Sequence, residues 1–293
     1  MKSAVIIGGG PAGCQCALWL NLLGHESIII EASNRLGGAL IYGNDLDAGV
    51  VGMMNLTSHG IADQMHQHIL SKQIPVLFET EVESIEKTSS FFTVKTKTQI
   101  IQSHTIVIAT GTRFSDGGFP EKGEIIIGHG FAYSSFDFND KKVAILGGGT
   151  NALMSYVSAM KRGAASCHVY ARTIKANRNR IAKVDPSDLR KGPYLVDADQ
   201  MLVGSEKYDV IVVMYGYTPN FPKALDNWKK EIVRENQSII TDEFCQTPVS
   251  GIFSIGDVTK RAYPCLATAV ADGTIAAKAI QKVVESRMFM DES

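Results

Sequence analysis

The residues of this 293-residue chain best suited to chemistry stand in three glycine-containing stretches and at five scattered cysteines. The run "GGGPAG" sets Gly8, Gly10 and Gly13 in a G-x-G-x-x-G spacing, with Pro11 and Ala12 inside it. Such a loop cradles a pyrophosphate. The first glycine permits the tight turn, the second lets backbone approach the phosphates, and the third lets the next helix pack closely. That helix then turns its N-terminus toward the negative charge. Glu31, about 20 positions beyond the loop at the end of the next apolar run, stands where an acid holds ribose hydroxyls.

A second loop, Gly147-x-Gly149-x-x-Ala152 in "GGGTNALMSYVSAMK", repeats the pattern with Asn151 inside it. The strand after it ends at Ala171-Arg172 with no acid. A basic residue at that point favours a 2′-phosphate, so NADPH is expected over NADH; the alternative is that Arg172, Arg178 and Arg180 form a solvated basic face. In the third stretch, "GIFSIGDVTK", Gly256-Asp257 follows a buried strand. An aspartate there can accept a hydrogen bond from a ribityl hydroxyl, and the small-residue-rich helix that follows can point its N-terminus at a flavin carbonyl.

Cys14, Cys16, Cys167, Cys245 and Cys265 are odd in number and show neither Cys-x-x-Cys nor metal-ligand spacing, which predicts reduced, mostly packed thiols. Cys14 and Cys16 diverge on a helix, so packing is expected of both. His66 and His68 also point apart, which predicts exposed-face histidines and no metal site. Positioning all of these requires strand, glycine loop, helix and strand twice over. Ala4 to Ile7 and Ser27 to Ile30 read as buried strands around a helix to Leu23, and the pattern recurs with a helix to about Lys161 and a strand Cys167 to Tyr170. Between the copies lie a helix, strands of alternating pattern, and the buried strand of "IVIATGT". Length suits about two domains. With 45% hydrophobic and 20% charged residues and a net charge of −1, nothing calls for nucleic acid or an anionic membrane. The apolar run of "MKSAVIIGGG" ends too early for a signal peptide or spanning helix, so a cytoplasmic protein is expected.

With "GGGPAG", Glu31, "RLGGAL", "IVIATGT", "GGGTNA", "GYTPN" and "FSIGDV" with "ATAVADGTIAA" in this order, the chain resembles the low-molecular-weight thioredoxin reductase family of two-dinucleotide-fold flavoproteins. The resemblance implies an α/β fold of two Rossmann-like domains: an FAD domain from 1–112 and 215–293, with a nicotinamide domain inserted at 113–214. It also implies FAD contacts at Ala32, Arg35, Gly38, Ala39, Leu40, Val82, Ala109, Thr110, Gly111, Leu266 and Ala267, and a homodimer.

Departures from that family bear on function. Where the family places a Cys-x-x-Cys pair, this chain has Gly130 and Tyr133, so electrons cannot pass from flavin to a disulfide by that route. The stretch between the second loop and "GYTPN" is shorter than the family's by roughly thirty residues, which predicts loss of part of the inserted sheet. Pro264-Cys265 stands where the family has Arg-Gln, at the start of a helix facing the flavin, so the Cys265 thiolate is a candidate partner of the ring, with an apolar filler as the alternative. Tyr133 is a candidate to stack on the ring, and His129 or Tyr133 to donate a proton beside it. The leading expectation is an FAD-dependent oxidoreductase passing electrons from NAD(P)H to a small molecule or small redox protein. A nicotinamide-independent FAD oxidase and a non-catalytic flavin-binding redox sensor are the alternatives.

Overall fold

The computed structural model describes every residue except 44–48, 122, 235, 236, 260, 262, 292 and 293. The chain divides into two compact units, Met1–Thr112 with Pro219–Ser293, and Arg113–Thr218.

The first unit opens with β1 (Lys2–Ile7), α1 (Pro11–Leu22) and β2 (Ser27–Ile30), then α2 (Ser58–Ser71), β3 (Val76–Leu77), β4 (Val82–Lys87), β5 (Phe92–Thr96) and β6 (Ile100–Ile108). β7 (Thr112–Phe114) leads out of it. The second unit follows with β8 (Ile125–Ile127), α3 (Phe131–Ser135), β9 (Lys142–Leu146), α4 (Thr150–Lys161), β10 (Ser166–Ala171), α5 (Arg178–Ile181) and β11 (Leu189–Lys191). It continues with β12 (Val196–Asp197), β13 (Leu202–Val203), β14 (Glu206–Lys207), β15 (Val210–Val213) and β16 (Tyr217–Pro219), the last of which pairs with β7. The chain then completes the first unit with α6 (Lys229–Ile232), β17 (Ile252–Ser254) and α7 (Leu266–Asp291).

In the first unit β3, β2, β1, β6 and β17 form a parallel sheet, and the N-terminal half of β6 turns to pair antiparallel with β5, which pairs with β4. Toward their carboxyl ends the central strands are apolar at successive positions, Ala4–Ile7 in β1, Ile28–Ile30 in β2 and Ile106–Ile108 in β6, because both faces are covered there. Alternation then sorts the side chains. Ala4, Ile6, Ile29, Val107 and Phe253 face α1 and α7, while Val5, Ile7, Ile28, Ile30, Ile106, Ile108 and Ile252 join a second cluster with Phe92, Leu225 and Ile232. Small residues set the approach of α1 to α7: a methyl at Gly273 would lie 2.5 Å from the Ala12 carbonyl oxygen.

The second unit is a parallel sheet in the order β11-β10-β9-β15-β8. Five parallel strands are therefore present in this shortened unit. What is short is the connection between β10 and β11, which holds only the single turn of α5 and a 3-10 turn at Pro186–Asp188. One face packs under α4 through Val143, Ile145, Val169 and Val212 against Leu153, Tyr156 and Ala159. The other carries Ala144, Leu146, Tyr170, Ile211 and Val213 beneath the antiparallel meander β12–β14. Polar groups at this second face are paired. The Tyr208 hydroxyl lies 2.8 Å from that of Tyr170 and 2.6 Å from Nδ1 of His168, as buried polar atoms require. Among the described residues no helix is long and apolar enough to cross a membrane.

The glycine loops make separable demands. A methyl at Gly13 would stand 2.0 Å from the Gly8 carbonyl oxygen, whereas one at Gly10 would meet nothing nearer than 3.9 Å. Gly13→Ala is therefore expected to destabilise the cofactor-free protein by about 1–3 kcal/mol. Gly10→Ala, at φ −74°, should cost less than about 1 kcal/mol. Urea denaturation of the two variants beside the parent measures both.

Candidate functional site

The first glycine loop joins β1 to α1 at the carboxyl end of the first unit's sheet. Gly8 adopts φ +107°, a conformation natural to glycine, and a side chain there would strike the Ala109 carbonyl at 2.5 Å. Neither end of the turn leaves a protein group to satisfy the first helical amides: Gly10 caps α1 without a side chain, and no acid lies in the first turn. Those amides and the helix dipole together favour an anion at this helix start. Glu31 is fixed at the end of β2 by the Gly9 amide, 2.7 Å from one oxygen, and by the Ser33 amide and hydroxyl, each 2.8 Å from the other. A carboxylate so oriented retains lone pairs for ribose hydroxyls.

Gly37 and Gly38 lie against this loop. The Gly37 amide donates to the Gly9 carbonyl at 2.9 Å, and a methyl at Gly38 would be 3.0 Å from the Gly10 Cα. Ala39 and Leu40 follow in a 3-10 turn, Gly38–Tyr42. Arg35 is ion-paired with Asp63 on α2, and its Nε is buried without a partner. The arginine's hydrogen bond holds the Asp63 carboxyl below the usual carboxylate range. His66 corrects the expectation of a histidine on an exposed face: it is half-buried and its Nδ1 accepts from the Leu36 amide at 3.2 Å, so it braces the "RLGG" segment. His68 is exposed. Ala32 is exposed and Val82 half-buried, while Thr110 and Gly111 hydrogen bond to Asn220.

At the end of β17, Gly256 turns at φ +72° and its amide donates to buried Asp272 on α7 at 2.9 Å. Asp272 also pairs with Arg261. Asp257 is partly buried, and its Oδ1 has no hydrogen-bond partner. Burial pushes its carboxyl above the ordinary value and the Arg261 charge pulls it back. An unpaired buried oxygen is costly until a donor arrives, and a ribityl hydroxyl is such a donor. Uncapped amides, open space at Gly10, the oriented Glu31 and the orphaned Asp257 oxygen together fit FAD.

Cys265 precedes α7, exposed, with its thiol 3.5 Å from the Thr268 hydroxyl, while Leu266 is buried and Ala267 exposed. Hydrogen bonding from Thr268, by hydroxyl and backbone, holds this thiol below its ordinary value. The other four cysteines are buried. Burial pushes Cys14 up to about 12 and Cys245 up to about 11, and raises Cys16 and Cys167 further.

The second loop repeats the first within its own unit. Gly147 adopts φ +143° against the Met214 carbonyl, space is open at Gly149, and α4 begins without a side-chain cap or acid. Ala152 is buried under the sheet. Asn151 donates to the Tyr217 hydroxyl at 2.8 Å, and a small recess beside it is lined by Phe114, His129, Met214 and Gly216. Arg172 is exposed just past β10, whereas Arg180 is engaged with the Met154 sulfur at 2.9 Å. The helical amides and the exposed Arg172 cation suit a phosphorylated nucleotide.

His129 and Tyr133 come together, their rings edge-on at 5.6 Å. Tyr133 does not serve as expected. It is 6% exposed in the core under α4, its hydroxyl donates to the Ser155 carbonyl at 3.0 Å, and Arg162 lies over its ring, so neither stacking face nor proton is available. Its apolar neighbours Phe136 and Phe138 were the signal for a core role. His129 remains at the recess. Cys265 belongs to the other unit. Among the described residues no group of three or more metal-ligating side chains occurs.

The family described as pyridine nucleotide-disulphide oxidoreductase matches the chain over residues 2–273. A ferredoxin–NADP reductase of Limosilactobacillus fermentum is 29% identical, covering 86% of this chain and 84% of its own. A thioredoxin reductase of Ureaplasma parvum is 27% identical over 93% and 94%. In fold, the crystal structure of Lactococcus lactis thioredoxin reductase superposes with a TM-score of 0.83 at 20% identity, covering 97% of this chain and all of that one.

Two measurements follow from this geometry. Asp257→Ala should weaken FAD retention about ten- to a hundred-fold while leaving the cofactor-free protein no less stable, because a buried oxygen without a hydrogen-bond partner is removed. The flavin-to-protein absorbance ratio after gel filtration, with thermal melts of the stripped protein, reads both. Iodoacetamide should label Cys265 first of the five cysteines, already at neutral pH. Thr268→Val should move its alkylation profile to higher pH, and peptide mass mapping across a pH series follows the shift.

Proposed function

This chain belongs to the pyridine nucleotide-disulphide oxidoreductase family, and from that premise we propose that it passes electrons from NADPH through FAD to a small redox protein of the ferredoxin kind, not to a disulfide. Use of FAD and NADPH comes with the family. The acceptor and the residue roles are the proposal. One observation carries it: two glycine loops lead into uncapped helices, while the sequence holds no Cys-x-x-Cys pair. Relatives bearing the name ferredoxin–NADP reductase support the same reading.

In this reading Met1–Thr112 with Pro219–Ser293 is the FAD domain and Arg113–Thr218 the nicotinamide domain. Bound FAD would supply the conversion between two-electron hydride and one-electron chemistry. The α1 amides hold its pyrophosphate, Glu31 its adenosine ribose and Asp257 its ribityl chain. Arg35, Ala32, Gly38, Ala39, Leu40, Val82, Ala109, Thr110, Gly111, Leu266 and Ala267 complete its surroundings. The α4 amides with Gly147, Gly149 and Asn151 hold the NADPH pyrophosphate, and Arg172 meets the 2′-phosphate. Cys265, an exposed thiol of lowered pKa, is placed beside the ring. A homodimer working in the cytoplasm belongs to the proposal.

NADPH-driven reduction of cytochrome c is expected to depend on added ferredoxin, with no turnover of thioredoxin or aromatic disulfides; disulfide turnover without ferredoxin activity would overturn the reading. Arg172→Ala should raise KM for NADPH about tenfold and leave that for NADH unchanged, measured by initial rates with each nucleotide.

A further inference from the structure

A second concavity in the unit Arg113–Thr218 has no part in the roles above. It is a cleft of about 300 Å³ lined by Phe114, Asp116, Phe119, Glu121, Ile127 and Gly130. That volume lies at the small end of ligand sites. Its apolar wall is backed by other rings and by backbone. Phe114 lies flat on Gly128, where a methyl would come within 2.0 Å of the ring, and packs against Tyr217 at 5.1 Å. Phe119 is backed by Tyr215 at 6.3 Å between centroids. Gly130 adds no side chain, which keeps the cleft open.

Among the described lining residues the charged side chains are of one sign. Asp116 and Glu121 bring carboxylates, the former oriented by the Gly118 amide at 2.8 Å, and no basic side chain is among the described lining residues. Two phenylalanines and two carboxylates lining one small volume favour a cation with an apolar body over phosphate. Among the described residues the recess at the second glycine loop shares Phe114 alone with this cleft, so one ring borders both the proposed nucleotide place and a place of opposite preference.

We propose that this cleft is a binding site for a small organic cation, an aryl-alkyl ammonium compound whose ring lies between Phe114 and Phe119 and whose nitrogen meets Asp116 and Glu121. The inference is independent of the identity of the electron acceptor.

The test is a ¹⁹F NMR titration of full-length, FAD-loaded protein labelled with 4-fluorophenylalanine, the signals of Phe114 and Phe119 being assigned from Phe114→Leu and Phe119→Leu. Phenethylammonium should shift both signals saturably and bind about tenfold tighter than neutral 2-phenylethanol, and phenylacetate should leave them unmoved. Glu121→Gln, an exposed substitution, should weaken phenethylammonium several-fold and leave 2-phenylethanol unchanged. Equal affinities for the ammonium and the alcohol would overturn the proposal, as would shifts confined to other phenylalanines or no shift up to the solubility limit of the amine.

Discussion

Everything in this molecule that bears on nucleotides depends on backbone brought to within van der Waals contact of backbone where a strand turns into a helix. At Gly8 and Gly13, and again at Gly147, any side chain would collide with a carbonyl of a neighbouring strand or of the loop itself. Only by excluding carbon there can the first helical amides face outward as a group, uncapped and unneutralised. The rest of each unit serves to hold that turn. Parallel strands buried on both faces fix the loop's two ends, and α1 locks against α7 through Ala12 and Gly273.

Much of this was legible in the sequence because it rests on local periodicity and glycine spacing. The buried strands, both loop-helix units, Glu31 at the end of β2 and Asp257 after β17 follow from residues close together in the chain. What escaped were pairings between distant segments. Nothing in the spacing of Arg35 and Asp63, or of Leu36 and His66, announces that α2 braces the "RLGG" turn. The same holds for Asp272, which ties the Gly256 amide to Arg261 from the far side of a loop. Tyr133 departs from expectation for a related reason: its expected place follows the resembled family's dithiol position, whereas burial under α4 decides it.

Burial also sorts the thiols. Four are enclosed in apolar surroundings that disfavour thiolate, and one stands in water with hydrogen bonds that favour it. The contrast at the carboxylates runs the same way. Glu31 is supplied with donors by the fold, while Asp257 keeps an oxygen unpaired against Arg261 and a desolvating environment. One acid is finished by the protein and the other is left for a guest.

The second unit seals one face of its sheet with the meander β12–β14 and the hydroxyls of Tyr170 and Tyr208, in place of longer helical cover. Three two-residue strands and a few phenols thus do the work of a helix in shielding apolar side chains from water. Five parallel strands, one long helix and a ribbon approach the smallest chassis on which such a loop can be mounted. That economy makes this segment an attractive template for transplanting a phosphate-gripping turn into a designed scaffold.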